Sequence, residues 1–184
     1  MLEHVDSGTQ NSERHPFVIH SKNCCLSSDL RVAQLLGELN SVATWDVVTL
    51  CETRAPPREV VLDGNHKLFL SRGEYVASGV GILVHQRYAD VVSNFVAHSD
   101  RLCSVDIVVG KSKMRIFAIY VPHAGYPFPE FEHLMDQAMD LMSEAHQLHF
   151  QVMIGRYFYC QLDVGICGSR LREISAICNL RIAN

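Results

Sequence analysis

Apolar positions along the chain switch between two spacings, and the order of the switches predicts the architecture. Residues 17–23, FVIHSKN, form a short strand-like run. Ser27, Ser28 and Asp29 then offer N-cap oxygens to a helix carrying Val32, Leu35, Leu36 and Leu39 at helical spacing. WDVVTLCE (45–52) is a nearly continuous β-rich apolar run that ends in the charged stretch CETRAPPRE, the pattern of a central strand covered on both faces. Glu52 therefore falls at the carboxyl end of a buried strand. Beyond the Pro56–Pro57 breaker come HKLFLS, GVGILVH, LCSVDIVV and MRIFAIYVP, separated by Gly-, Ser-, Asp- and Lys-containing turns, which predict a meander. From Pro129 to His149, Phe131, Leu134, Met135, Ala138, Leu141, Met142 and Ala145 recur at three-and-four spacing, so this segment is a helix with Pro129 in its first turn. FQVMIG then reads as a strand, SRLREISAICNL as a short helix and RIAN as a barely begun last segment.

The order β-α-β, meander, α-β-α predicts mixed sheets sandwiched by helices. In such folds, sites gather in loops at one end of the strands. Residues 1–16 are polar and aperiodic, with neither a signal h-region nor a transit-peptide pattern, and read as a flexible leader; the fold is expected over residues 17–184.

Composition narrows the function classes. At 184 residues and 48% hydrophobic content, one domain with a substantial core is expected. A formal charge of −4 provides no global basic footprint, so affinity for nucleic acid needs a local patch or a bound cation. Seven cysteines, two of them adjacent at Cys24 and Cys25, do not suggest a disulfide framework, and a reducing, intracellular setting in nucleus or cytoplasm is expected rather than secretion. Cys160, Cys167 and Cys178 lack the C-x-x-C spacing of zinc sites, which argues against a zinc-stabilised binding module. No apolar run reaches the ~18 residues that span a bilayer, so no membrane partner is expected.

Three polar groups fall at strand ends: Asn23, Glu52 and Tyr120. A strand-end carboxylate suits Mg²⁺, which takes one or two carboxylates together with water and substrate phosphate. An amide orients such a carboxylate without adding charge, and a phenol donates to a phosphate oxygen. Each residue alone also has a plainer reading: Glu52 as a solvated strand end beside Arg54, Asn23 as a turn residue, Tyr120 as an amphipathic core aromatic.

The motifs around these residues occur in a familiar order. LCETR resembles the L-Q-E-T-R element of the endonuclease/exonuclease/phosphatase superfamily, GVGILV its following strand, and YVPHAG the Y-V-P-N-A-G element of its apurinic/apyrimidinic endonuclease branch. SKNCCLSSDLR, WDVVTL, QLDVG and GSRLREI are similar to segments of non-LTR retrotransposon endonuclease domains. The resemblance runs from about Phe17 to the last residue. It implies a four-layered α/β sandwich of two mixed β-sheets flanked by helices, and phosphodiester hydrolysis, with DNA as partner and Mg²⁺ or Mn²⁺ as cofactor. It assigns metal binding to Glu52, catalytic roles to Asn23 and Tyr120, and a substrate-phosphate contact to His123, which stands where the family has Asn.

Two departures follow from the same resemblance. Where the family has G-D-F-N, this chain has GRYFY, with Tyr157 at the Asp position and Tyr159 at the Asn position. A phenol, neutral at pH 7, cannot supply that carboxylate. The family's last strands and Ser-Asp-His segment are also not reached at Asn184, which implies missing final strands and an uncovered sheet surface available for association. His146 and His149 share a predicted helical face but lack a third ligand, so neither is read as a metal residue. Two readings stand: a metal-dependent DNA endonuclease-type phosphodiesterase with impaired catalysis, or a non-catalytic remnant serving as a nucleic-acid- or protein-binding module.

Overall fold

A computed structural model describes residues 16–42, 44–71, 78–121 and 128–157. Their strands form two sheets. In the first, β1 (Ile19–Asn23) runs parallel to β2 (Val47–Cys51), and β5 (Val80–Val84), β4 (Lys67–Leu70) and β3 (Arg58–Val61) follow, each antiparallel to its neighbour. The second has the order β6 (Val92–Ala97), β7 (Leu102–Val109), β8 (Ser112–Tyr120), β9 (Gln151–Tyr157), antiparallel except for the parallel β8–β9 pair. α1 (Asp29–Val42) links β1 to β2 and α3 (Phe128–Gln147) lies between β8 and β9, so each parallel pair is a β-α-β crossover. A short α2 (Gln86–Ala89) separates β5 from β6.

Three apolar clusters make four layers. Val47, Cys51, Phe69, Val80 and Ile82 of the first sheet meet Cys103, Val105, Ile107, Ile116 and Ala118 of the second. Val32 and Leu35 of α1 pack on Val48, Leu50, Leu68 and Leu83, the outer face of the first sheet. Phe131, Leu134, Met135, Ala138 and Met142 of α3 pack on Leu102, Phe117 and Ile119, the outer face of the second. The layers follow from strand alternation: in β2, Val47 and Cys51 enter one cluster and Val48 and Leu50 the opposite one, which is why the run is apolar except at Thr49. The sheets approach closely at Gly155 of β9, where a Cβ would lie 2.6 Å from the Cβ of Thr49 and nearer still to its hydroxyl. Only glycine fits there.

The helix starts agree with their chemistry. Ser28 caps α1, its hydroxyl accepting from the Arg31 amide at 3.4 Å. α3 keeps Pro129 in its first turn but ends at Gln147; His149 adopts φ 62° beyond it, so His146 and His149 do not share a helical face. The predicted meander is split between layers, since β4 and β5 join the first sheet and β7 and β8 the second. β3 and β6 have no counterpart among the predicted strands; both lie at a sheet edge among the described residues, where partly exposed polar side chains break the apolar run. The predicted helix 169–180 and final segment lie outside the described residues. Among the described residues no helix is long and apolar enough to cross a membrane.

Candidate active site

The carboxyl ends of β1, β2 and β8 converge at one end of the sandwich. Asn23 is the last residue of β1 and pairs in register with Cys51, which sets its side chain beside that of the next residue, Glu52. Tyr120 ends β8 in the opposing sheet, its ring contributing to the inter-sheet core. Asn23 Nδ2 donates to Glu52 Oε1 at 3.0 Å, and the Tyr120 hydroxyl donates to the same oxygen at 3.0 Å. Arg54 Nη2 donates to Oε2 at 3.1 Å. Glu52 is thus an acceptor for an amide, a phenol and a guanidinium, and its side chain is only 13% exposed while that of Arg54 is 42% exposed. An ion pair this open to water contributes little to stability.

The backbone that presents Glu52 is bent into an unusual shape. Glu52 has φ 52° and Arg54 φ 51°, both left-handed and neither glycine. Each such residue costs ~1 kcal/mol or more and persists only where neighbours hold it. Here they do. Cys51 O accepts from Cys24 N at 2.9 Å and Thr53 O from Leu26 N at 2.8 Å on one side. On the other, Thr53 N donates to Gly79 O at 3.0 Å and Arg54 N to Ser78 O at 3.1 Å. Buried Cys51, Thr53 and Ala55 alternate with less buried Glu52 and Arg54, so the turn anchors on its odd residues and aims the even ones away from the core.

A second backbone link crosses the sandwich. Gly79, at φ 102°, donates to Asp100 O at 3.0 Å, and Tyr120 N donates to Arg101 O at 2.9 Å. The Arg101 guanidinium carbon lies 5.1 Å from the Tyr120 ring centroid. Nearby, the exposed Cys25 thiol is pulled below its ordinary pKa by the Ser27 hydroxyl and backbone, with smaller help from Arg54 and Arg31. Burial pushes the adjacent Cys24 up to about 12.

Asn23 and Tyr120 are therefore both in contact with Glu52. His123 and Tyr159 lie outside the described residues, as do Cys160, Cys167 and Cys178. Tyr157 is the last residue of β9, and its Cα pairs in register with that of Tyr120. The backbone position that the sequence resemblance aligns with that family's Asp thus lies beside Tyr120 at the same end of the sandwich. Arg54 and Gly79 fall within the LCETR and GVGILV elements without a role of their own, and Arg101 does not stand out in the sequence; a lone arginine after a Ser-Asp turn carries no signal of its eventual stacking partner.

Among the described residues no group of three His, Cys, Asp or Glu side chains could hold a metal ion. Glu52 with Asn23 meets the smaller requirement of a Mg²⁺ that keeps most of its waters and shares a substrate phosphate, a hard oxygen donor set with one carboxylate. Exposed Arg54 occupies Oε2 and must swing aside for a cation to bind there.

No protein-family model matches the sequence, and no curated protein does. Solved structures do. The endonuclease domain of TRAS1, a telomere-specific non-LTR retrotransposon, matches with a TM-score of 0.56 at 11% identity, over 92% of this chain and 74% of that one. AP endonuclease LMAP from Leishmania major matches with 0.61 at 11% identity, over 89% and 67%. A β-hairpin deletion mutant of beta toxin from Staphylococcus aureus matches with 0.53 at 13% identity, over 91% and 74%. At such identities the likeness is one of fold, and the fold shared with these structures is the α/β sandwich of two mixed sheets.

Proposed function

We propose that this chain, having a fold shared with nucleases, is a metal-dependent phosphodiesterase-type domain acting on a DNA backbone, with hydrolysis slowed by the loss of a carboxylate at position 157. The observation that carries the reading is the shared acceptor: Asn23 and Tyr120, from different sheets, both donate to Glu52 Oε1. A structural carboxylate needs no such arrangement at a strained, largely buried strand end.

In this reading Glu52, oriented by the Asn23 amide, holds the cation. When bound, Mg²⁺ or Mn²⁺ would neutralise charge on the phosphoryl oxygens and the leaving oxygen. Tyr120 exchanges its contact with Glu52 for a phosphate oxygen of the substrate, and Arg54, released from Oε2, meets the same anion from the solvent side. Water attack requires a group that takes a proton, and a tyrosine at position 157 is neutral near pH 7. Loss of such a base typically costs ~10²–10⁴-fold.

The register of Tyr157 with Tyr120 favours a second reading, a binding domain without turnover. Nicking of supercoiled plasmid with Mg²⁺ or Mn²⁺ separates the two. Slow metal-dependent nicking that Glu52→Ala abolishes supports the phosphodiesterase; equal background from both proteins, with DNA binding retained, supports the binding domain.

A further inference from the structure

The turn between β6 and β7 touches the candidate site at three points. It is closed by His98 N and Ser99 N, which donate to Leu102 O at 2.9 and 3.0 Å, and by Arg101 N, which donates to Ser99 Oγ at 3.2 Å. Asp100 O takes the Gly79 amide, and Gly79 O takes the amide of Thr53 beside Glu52. Arg101 O takes the Tyr120 amide, while the Arg101 guanidinium covers the Tyr120 ring. Glu52 and Tyr120 are consequently joined twice: directly through the phenol, and through the path Thr53, Gly79, Asp100, Arg101.

The Tyr120 ring is buried between the sheets, so the freedom left to its hydroxyl once that hydrogen bond is exchanged for a substrate is a tilt of the ring. A cation over the ring face removes that freedom, because the quadrupole attraction falls away when the ring tilts or withdraws. Displacement of a donor by about 1 Å suffices to lose ~10²-fold in rate. Arg101 thereby differs from Arg54, which is exposed and pairs with the carboxylate itself.

We propose that Arg101 is a positioning residue, holding the Tyr120 phenol in line with Glu52 from the ring face while its carbonyl holds the Tyr120 backbone. The proposal rests on the phosphodiesterase reading for its consequence in catalysis, but its geometric content stands apart from that reading and is tested separately.

The full chain is labelled with 3-fluorotyrosine, and the Tyr120 signal among the six tyrosines is assigned with Tyr120→Phe. Arg101→Met, which keeps the stem and removes the cation, is expected to shift or broaden that fluorine resonance as Glu52→Gln does, and to leave the others in place. Arg101→Lys is expected to restore it in part. A Tyr120 resonance in Arg101→Met that coincides with the parent overturns the proposal. If Arg101→Met does not fold, Arg101→Gln takes its place under the same criterion. In plasmid nicking, Arg101→Met is expected to lower kcat by ~10-fold with KM unchanged, on the scale of a desolvated cation–π contact. The salt slope of DNA binding is expected to stay the same. A slope reduced by ~1 identifies Arg101 as a direct phosphate contact and overturns the positioning role. A parent chain that does not nick removes the phosphodiesterase reading, while the fluorine measurement still decides what Arg101 does to Tyr120.

Discussion

The Tyr120 hydroxyl and the Glu52 carboxylate are 68 positions apart in sequence and 3.0 Å apart in space, and they come from different sheets. Their contact exists only when the sandwich is closed. Tyr120→Phe removes the donor and keeps the ring, and is expected to destabilise the fold by ~1–2 kcal/mol, the scale of a hydrogen bond to a charged acceptor. Urea denaturation measures this. An unchanged midpoint would show that the carboxylate finds another donor at no cost. Under the phosphodiesterase reading, any metal-dependent nicking falls at least ~10-fold as well.

The left-handed backbone at Arg54 permits a test that separates strain from contact. Arg54→Gly and Arg54→Ala both remove the guanidinium, but only glycine adopts φ 51° without steric cost. Arg54→Gly is expected to be more stable than Arg54→Ala by ~1 kcal/mol, with both weakened in DNA binding. Equal stabilities would mean that the turn relaxes out of the left-handed region.

Two other glycines make an opposed pair. Gly37 lies in α1, and a Cβ added there would meet nothing within 4 Å, so Gly37→Ala is expected to stabilise by ~0.5–1 kcal/mol through helix propensity. Gly155→Ala drives a methyl into Thr49 and is expected to cost ~2 kcal/mol or more. Thermal denaturation of the two variants, with shifts of opposite sign, checks both.

The single tryptophan reports on two histidines. The Trp45 ring lies 5.0 Å from that of His66, tilted, and 4.8 Å from that of His85, edge to face, and the Nδ1 atoms of the two histidines accept the amides of Gln86 and Arg87. Burial, chiefly, holds both imidazoles below 6.5, aided at His66 by His85 and at His85 by Arg87, with Asp46 opposing at His85. His98 is depressed in the same way, by burial and then Arg115, against Glu144 and Asp106. With folded values below unfolded ones, the unfolded chain binds more protons, so stability is complete above ~6.5 and declines as pH falls below it. The urea midpoint followed by Trp45 fluorescence is expected to drop between pH 7.5 and 5.5. His66→Gln, which cannot take up a proton, is expected to flatten that dependence. A midpoint that rises on acidification would contradict the assigned direction.

Thiol reactivity gives a further check. Cys25 is exposed and its pKa is lowered, whereas Cys24 and Cys103 are raised by burial and Cys51 is buried. Brief iodoacetamide treatment of the native chain at pH 7, read by mass spectrometry, is expected to alkylate Cys25 well ahead of those three. Faster labelling of Cys24 would imply that the 24–28 segment opens.

Much of this is legible in residue order. The apolar run of WDVVTLCE places Glu52 at a buried strand end, and the three-and-four spacing of α3 locates its core face. Strand ends at Asn23 and Tyr120 can be read, and the family resemblance implies that both meet Glu52, as they do; no local pattern implies it, because register across two sheets is set by packing. The expected meander divides between layers for the same reason: antiparallel strands joined by turns look alike whether or not the chain changes layer between them. β3 and β6 escape notice because edge strands carry the charged and polar residues that otherwise mark loops. The left-handed pair at Glu52 and Arg54 has no glycine or asparagine to announce it.

Each sheet contributes one β-α-β crossover, β1-α1-β2 in the first and β8-α3-β9 in the second. Asn23 and Tyr120 close the leading strand of each unit, and Cys51, next to Glu52, and Tyr157 close the trailing strand. The carboxyl ends of two β-α-β units thus lie together at one end of the sandwich, one followed by Glu52 and the other ending at position 157. Ladder hydrogen bonds are made by the backbone, so residue type at these ends can change while the strands behind them keep their register.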